Sequence, residues 1–181
     1  QFNAAIKHYL QKHAYSNVDS DDLLTAFHKK LGLSLDWFWE QWMYKGDEPH
    51  YLVEFDTKKD KGTFTVVQIQ EERELSSTFK MPIVFEIYFE DGSKESARVM
   101  VETDTAEVTL PLNGKELSYV LFDPNSEVMK QVTFDKSKSM LQAQAVAAEN
   151  MIDRYDALAA LSELKFKDKE EFFLKRFDEE T

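Results

Sequence analysis

Near the start of the chain, hydrophobic residues recur three or four positions apart, which is the spacing of one face of an α-helix. Three such segments follow one another between residue 1 and about residue 46. Asp19 is predicted to cap the second helix, with Asp22 completing a capping box and Gly32 ending the helix. Ser34 is predicted to cap the third. The apolar positions are Phe2, Ile6, Tyr9 and Leu10, then Leu23, Leu24, Phe27 and Leu31, then Leu35, Phe38, Trp39, Trp42 and Met43.

From about residue 50 to about residue 135 the period changes to two. The alternating runs are separated by the turn signals Asp91-Gly92, Asn113-Gly114 and Asp123-Pro124-Asn125. Between Val66 and Val67 the apolar residues shift from one set of alternate positions to the other, which predicts a β-bulge there. Roughly seven short strands without intervening helices predict an antiparallel β-sandwich. The alternating positions are Ile83, Phe85, Ile87 and Phe89, then Ala97, Val99 and Val101, then Val108, Leu110 and Leu112, then Val128, Val132 and Phe134.

Helical spacing returns from about residue 137. Alanines at 143, 145, 147 and 148 favour a helix, and Asp168 is predicted to cap a later one. Short amphipathic helices in succession are typical of the start of a helical-repeat region. The fold class is therefore α+β in several parts, with predicted domains 1–46, 47–136 and 137–181. Expected apolar positions in the last part are Tyr155, Leu158, Leu161 and Leu164, then Phe172, Phe173 and Phe177.

Composition narrows the functions that this chain can have. Among 181 residues, 34 acidic and 22 basic side chains give a formal net charge of −12 at pH 7. Nucleic-acid binding needs clustered Lys and Arg, which are dispersed here, so no nucleic-acid partner is expected. No apolar run is long enough to span a membrane, and no membrane partner is expected. The chain has no Cys, which excludes disulfides, thiolate metal sites and a Cys nucleophile.

The chemistry-bearing residues form no recognisable catalytic motif. The four histidines, His8, His13, His28 and His50, contain no His-Glu-x-x-His pair and no two at helical i, i+4 spacing. Zinc ligands borne by one helix must share a face, so no zinc site made only of these residues is expected. A Gly-x-Ser-x-Gly elbow and a Gly-rich phosphate loop are also missing.

Two further clusters have a structural explanation. The run from Asp19 to Asp22 lacks the Gly and the distal Glu of a calcium loop, so helix capping is the preferred interpretation. Trp37, Phe38, Trp39, Trp42 and Tyr44 surround a helix rather than line one side, so most are expected in a core or a domain interface. Trp37 is expected to lie off the main apolar face.

Two stretches carry a more specific pattern. The first runs from Phe2 to Tyr44, and the second includes Met81-Pro82-Ile83-Val84 and Phe122-Asp123-Pro124-Asn125. In both, the chain resembles the aminopeptidase N family of gluzincin peptidases, downstream of the zinc site. The matching phrases of the first stretch are Tyr9-Leu10 with His13 and Tyr15, then Asn17, then Asp22-Leu23, then Trp37-Phe38 with Trp42 and Tyr44.

The resemblance implies that this chain is part of a longer parent protein, and that the catalytic groups lie in the rest of that protein. Residues 1–46 would be the helical end of the catalytic domain, followed by the β-sandwich and the start of the C-terminal helical domain. The parent would use zinc to remove N-terminal residues from peptides, and this piece would bind no zinc. The implied zinc ligands, general base and amino-terminus anchor all lie upstream, so no catalytic or metal residue is assigned here, and substrate-binding residues are unknown.

Other interpretations stay open. The chain begins at Gln1 inside a predicted helix, which indicates a piece of a longer polypeptide whose remainder would be its partner. The parent could instead be a non-catalytic relative of the same architecture. A β-sandwich interaction module with helical flanks is the third interpretation, and it would require an exposed apolar patch or groove. The compartment is not fixed by the sequence, with cytoplasm favoured over periplasm or secretion.

Overall fold

The helices predicted at the front are present in the computed structural model, which describes residues 1–70 and 78–180. They are α1 (Phe2–Lys12), α2 (Ser20–Leu31) and α3 (Asp36–Trp39), and α3 continues into a wider turn of π type over Glu40–Tyr44. The predicted capping box is confirmed. The Asp19 side chain accepts the N–H of Asp22 at 3.1 Å, and the Asp22 carboxylate accepts the N–H of Asp19 at 3.3 Å. Gly32 ends α2 in the left-handed conformation, with φ of 68°.

The third helix starts later than its pattern predicts. Leu35 immediately precedes α3 and is outside it, and the Ser34 hydroxyl makes no cap. The Asp36 N–H reaches Ser34 Oγ only at 3.5 Å, because that hydroxyl bonds to the Asp36 carboxylate instead. The predicted Ser34 cap is therefore wrong. The apolar residues buried in this part of the chain are Ala5, Ala26, Phe27 and Trp39.

The described residues fall into two compact units, residues 1–47 and residues 48–70 with 78–180. The second unit contains two sheets, one of four strands ordered β5-β2-β1-β7 and one of three ordered β4-β3-β6. β7 runs parallel to β1 and the other neighbours are antiparallel, so the four-stranded sheet is mixed. The strands are β1 (His50–Lys58), β2 (Lys61–Gln68), β3 (Met81–Phe89), β4 (Lys94–Val101), β5 (Thr105–Pro111), β6 (Leu117–Phe122) and β7 (Gln131–Phe134).

Aromatic rings join the two sheets. Phe64 of β2 meets Phe85 of β3 with ring centroids 5.2 Å apart, and Phe85 meets Phe122 of β6 at 5.4 Å. Phe122 in turn meets Tyr51 of β1 at 5.4 Å. The first and third of these edge-on contacts join the two sheets, and the second lies within the three-stranded sheet. Burial of such rings is the main stabilising contribution of this core.

Two details of the strand pattern differ from the prediction. β1 and β2 pair without a break from Tyr51↔Gln68 to Lys58↔Lys61, so the predicted bulge between Val66 and Val67 is wrong. Val66 is buried on one face of β2, and Val67 is half-buried on the opposite face. Two adjacent apolar residues therefore occur here although no residue is inserted into the strand. Val132, expected in the apolar set, is 46% exposed.

Three helices complete the second unit, namely α4 (Lys138–Ala147), α5 (Met151–Ser162) and α6 (Phe166–Glu180). Leu141 of α4 packs with Ala157 and Leu161 of α5. Tyr155 is 66% exposed, because Ala157 occupies the buried face in its place. α6 begins two residues before Asp168, which lies in the first turn, so the predicted Asp168 cap is wrong.

The structure confirms an α+β fold with two sheets, whereas the three-domain division stays a prediction. No helix of residues 1–70 and 78–180 is long and apolar enough to cross a membrane.

Candidate functional site

A cavity of about 340 Å³ lies where the end of β6, the following loop and β7 face α4 and α5. The loop here carries the chain from β6 in the three-stranded sheet to β7, which lies beside β1 in the four-stranded sheet. The cavity concentrates polar groups in an otherwise apolar region of the second unit. The polar side chains that line it are Asp123, Ser126, Lys130, Lys136, Gln144, Asp153 and Asp156.

The loop at the cavity has an unusual backbone. Asp123, Asn125 and Ser126 all have positive φ, at 53°, 64° and 49°. Such conformations are costly for residues other than glycine and persist only where the surroundings hold them. Asp153 of α5 supplies part of that hold, since its two carboxylate oxygens accept the Asn125 N–H at 3.0 and 3.1 Å. Asn150 donates to the same carboxylate at 3.0 Å.

A buried ion pair forms one wall of the cavity. Lys130 Nζ donates to Asp123 Oδ2 at 2.5 Å, and the two side chains are 4% and 2% exposed. The same Asp123 oxygen accepts the Val128 N–H at 3.0 Å. A pair this deeply buried gains little net stability over apolar residues, but removing one partner leaves an uncompensated charge.

Lys136 is held differently from Lys130. Its Nζ donates to the Val120 carbonyl of β6 at 2.8 Å and to Gln144 Oε1 of α4 at 2.6 Å. Gln144 also donates to the Asp153 carbonyl of α5 at 2.7 Å, so it links Lys136 to α5. Burial lowers the pKa of Lys136 to about 8, and the charges of Asp153 and Asp156 only partly oppose this. Burial, followed by the charge of Asp153, raises the pKa of Asp156.

A second polar cluster lies on the three-stranded sheet, next to the connection between α4 and α5. Lys94 of β4 contacts Glu86 of β3 at 3.2 Å and Glu149, between α4 and α5, at 3.3 Å. Tyr88 donates its hydroxyl to Glu86 at 2.7 Å and stacks on Tyr119 with centroids 4.4 Å apart. Of these side chains, only the buried Tyr119 hydroxyl makes no hydrogen bond. The cluster therefore links the α4–α5 connection to the sheet, and its other polar groups are occupied by each other.

Two of the histidines have a polar neighbour within their own unit. His13 Nε2 lies 3.8 Å from Asp22, and His50 Nε2 lies 3.2 Å from the Thr133 hydroxyl on β7. Within residues 1–70 and 78–180, no three His, Asp or Glu side chains are grouped so that they could hold a metal ion. The described residues therefore do not fit the zinc implied for the parent, and no chemical step is assigned to a metal here.

The aromatic cluster at the front is only partly buried. Trp39 is buried, whereas Trp37, Phe38 and Trp42 are half-buried and Tyr44 is exposed. Trp37 packs edge-on against Phe38, with ring centroids 5.8 Å apart.

Sequence reasoning missed the cavity. In the sequence, Asp123 stands out only as part of a turn signal and of the phrase Phe122-Asp123-Pro124-Asn125, and nothing in the pattern marks Lys130, Lys136 or Asp156 as its neighbours. Two lysines on either side of a short strand in an acidic chain were the one available hint.

Comparison with known proteins supports the fold. No family model matches the chain, and no curated protein sequence matches it. Its structure is similar to that of aminopeptidase A of Legionella pneumophila, solved in complex with aspartic acid, with a TM-score of 0.71 and 13% sequence identity. The match covers 87% of this chain and 19% of that enzyme, so this chain spans about a fifth of the enzyme's length. The chain thus has an aminopeptidase-like fold.

Proposed function

We propose that this chain is a structural segment of a zinc aminopeptidase of the aminopeptidase N type, and that its parent removes N-terminal residues from peptides. The observation that carries the proposal is the likeness of fold over 87% of the chain to about a fifth of an aminopeptidase. The phrases in Phe2–Tyr44 and Phe122–Asn125 favour the same relationship. Zinc and the catalytic groups belong to the rest of the parent polypeptide.

The parts of the chain then have distinct roles. Residues 1–46 would be the helical end of the catalytic domain, 47–136 a β-sandwich domain and 137–181 the start of a helical domain. The partners of this segment would be the rest of its own polypeptide, and peptides would be substrates of the whole protein.

The test compares the 181-residue chain with its parent polypeptide. Both are measured for bound zinc and for hydrolysis of an aminoacyl chromogenic substrate. We expect stoichiometric zinc and turnover from the parent and neither from the chain alone. Zinc and turnover in the chain alone would contradict its structural role, whereas a parent with neither would identify the non-catalytic relative.

A further inference from the structure

The three-stranded sheet ends at β4, and the outer edge of this strand is open. The Phe89 N–H donates to the Ser93 carbonyl at 2.9 Å, and hydrogen-bonded pairs recur at every second residue of an antiparallel ladder. The odd-numbered residues of β4 therefore bond to β3, and the even-numbered ones face away from it. The Asp123 N–H gives the same phase, because it bonds at 2.8 Å to the carbonyl of Val84, which lies opposite Arg98. The outward-facing backbone groups belong to Lys94, Ser96, Arg98 and Met100.

The other edges of the two sheets are protected against pairing with another strand. At the edge of β6, Lys136 Nζ donates to the Val120 carbonyl, and α4 packs alongside. β7 has four residues, and β5 carries the exposed Glu107 and ends at Pro111, which has no N–H. The part of β1 that β7 leaves uncovered is charged, at Glu54, Asp56 and Lys58. Short length, charge, proline and a covering helix are the devices by which edge strands avoid unwanted pairing.

β4 is the longest of these edges, and most of its charge is already occupied. The strand has 8 residues and no proline. Lys94 pairs with Glu86 at 3.2 Å, and Glu95 accepts a hydrogen bond from Asn113 at 2.9 Å. Of the charges on β4, Arg98 alone has neither an ion pair nor a side-chain hydrogen bond within residues 1–70 and 78–180. The side chains at the outward-facing positions are exposed, so another strand can reach the backbone between them.

A second copy of the chain can pair with this edge about a two-fold axis, since each copy presents the same strand. Two registers keep nearly the whole of β4 paired, one centred on Arg98 and one on Ala97. The first sets Arg98 opposite Arg98, and like charges directly opposite are destabilising. The second sets Arg98 opposite Ser96, whose hydroxyl can accept a hydrogen bond from the guanidinium, and it brings the small Ala97 side chains together at the axis. Charge and size thus favour the register centred on Ala97.

We propose that β4 is a dimerisation edge, through which two copies pair antiparallel in the register centred on Ala97. The pairing joins the two three-stranded sheets into one continuous sheet, and the backbone groups of Ser96 and Arg98 exchange hydrogen bonds across the axis. A formal net charge of −12 on each copy opposes association, so the interface is tested at physiological salt, which screens that repulsion. The proposal does not depend on the aminopeptidase relationship.

A single introduced cysteine tests the register, because the chain has none of its own. Opposite residues of a non-hydrogen-bonded pair have Cα atoms about 4.5 Å apart, which a disulfide can span. Under mild oxidation of the folded 181-residue chain, Ala97→Cys should therefore give a disulfide-linked dimer about 10-fold faster than Val99→Cys, which would lie opposite Glu95 instead of itself. Non-reducing electrophoresis measures both rates. Equal rates, or no dimer from either variant, would overturn the proposal.

Charge variants test the association without a covalent bond, by sedimentation equilibrium. We expect a reversible dimer of the unmodified chain, weakened about 10-fold by Ser96→Lys, which sets a cation opposite Arg98 in both halves of the interface. The double variant Ser96→Lys/Arg98→Glu should restore the dimer, because opposite charges then face each other. Circular dichroism checks that each variant is folded.

Thr109→Lys is the matched control, since Thr109 is an exposed residue of the edge strand β5. Each added lysine lowers the net negative charge, so overall charge alone would tighten the dimer in both lysine variants. Weaker association of Ser96→Lys alone therefore identifies a local contact at β4. A monomeric unmodified chain, or equal effects of the two lysine variants, would contradict pairing through β4.

Discussion

The buried pair Asp123–Lys130 shows how much a single residue can matter in this molecule. Lys130→Met should lower the free energy of unfolding by about 3–5 kcal/mol, because the Asp123 carboxylate would stay buried without its counter-charge. The measurement is urea unfolding at pH 7. The double variant Asp123→Asn/Lys130→Met removes both charges and should recover part of the loss.

An exposed pair provides the control. Lys115 lies 3.0 Å from Asp91, with side chains 38% and 53% exposed. Water and salt screen such a pair, so Lys115→Met should cost far less than Lys130→Met. Equal losses in the two variants would contradict the argument from burial.

Lys136 predicts an unusual dependence of stability on pH. Its pKa is about 8 in the folded chain and ordinarily 10.5, so between these values the unfolded chain binds more protons. Lys136 should therefore contribute an increase in stability of about 2 kcal/mol from pH 8 to pH 10. Above pH 10 the trend should reverse, because burial raises the pKa values of Tyr51, Tyr88 and Tyr119 and the unfolded tyrosines lose their protons first.

The variant Lys136→Met isolates this contribution. In equilibrium urea titrations, its free energy of unfolding should not rise between pH 8 and pH 10, while the decrease above pH 10 persists. If the wild type shows no rise relative to Lys136→Met from pH 8 to pH 10, Lys136 stays protonated in the folded state.

At the scale of an element, β2 depends on a glycine. A Cβ at Gly62 would lie 2.7 Å from both Ile87 Cδ1 and Phe55 Cζ, closer than packed carbon atoms approach. Ile87 is fully buried, so one of these side chains or the strand itself must move. Gly62→Ala should lower the free energy of unfolding by about 1–3 kcal/mol, measured by urea unfolding.

Gly46→Ala is the matched control, since no atom lies within 4 Å of a Cβ there and its φ is not positive. Its effect should be within about 0.5 kcal/mol. A stability loss at Gly46 equal to that at Gly62 would assign the cost to the backbone rather than to the close approach.

The elements also show what a sequence can reveal. The α2 capping box is readable because Asp19 and Asp22 are three residues apart and their bonds are local. The parallel pairing of His50 with Gln131 joins residues far apart in the chain, and no local pattern specifies it. The cavity depends on contacts of the same kind, such as Asn125 with Asp153, which explains why turn signals alone did not predict it.

At the scale of the whole molecule, the two units should differ in stability. Of the described residues, the front unit buries few apolar side chains, chiefly Phe27 and Trp39, whereas the second unit buries most of the aromatic core. Small cores contribute less stability, so the front unit should unfold at lower urea concentration. All three tryptophans lie in residues 37–42, so tryptophan fluorescence reports that unit alone. Hydrogen exchange of a β3 peptide reports the other.

Two variants should move these transitions separately. Phe64 is fully buried and contacts Phe55 and Phe85, so Phe64→Ala should lower the stability of the second unit by about 3–5 kcal/mol. The midpoint of β3 exchange should shift while the fluorescence midpoint stays in place. Phe27→Ala should do the reverse, because that ring packs with Phe2 in the front unit. If either variant shifts both midpoints equally, the chain unfolds in one cooperative transition, and the two units do not have separate stabilities.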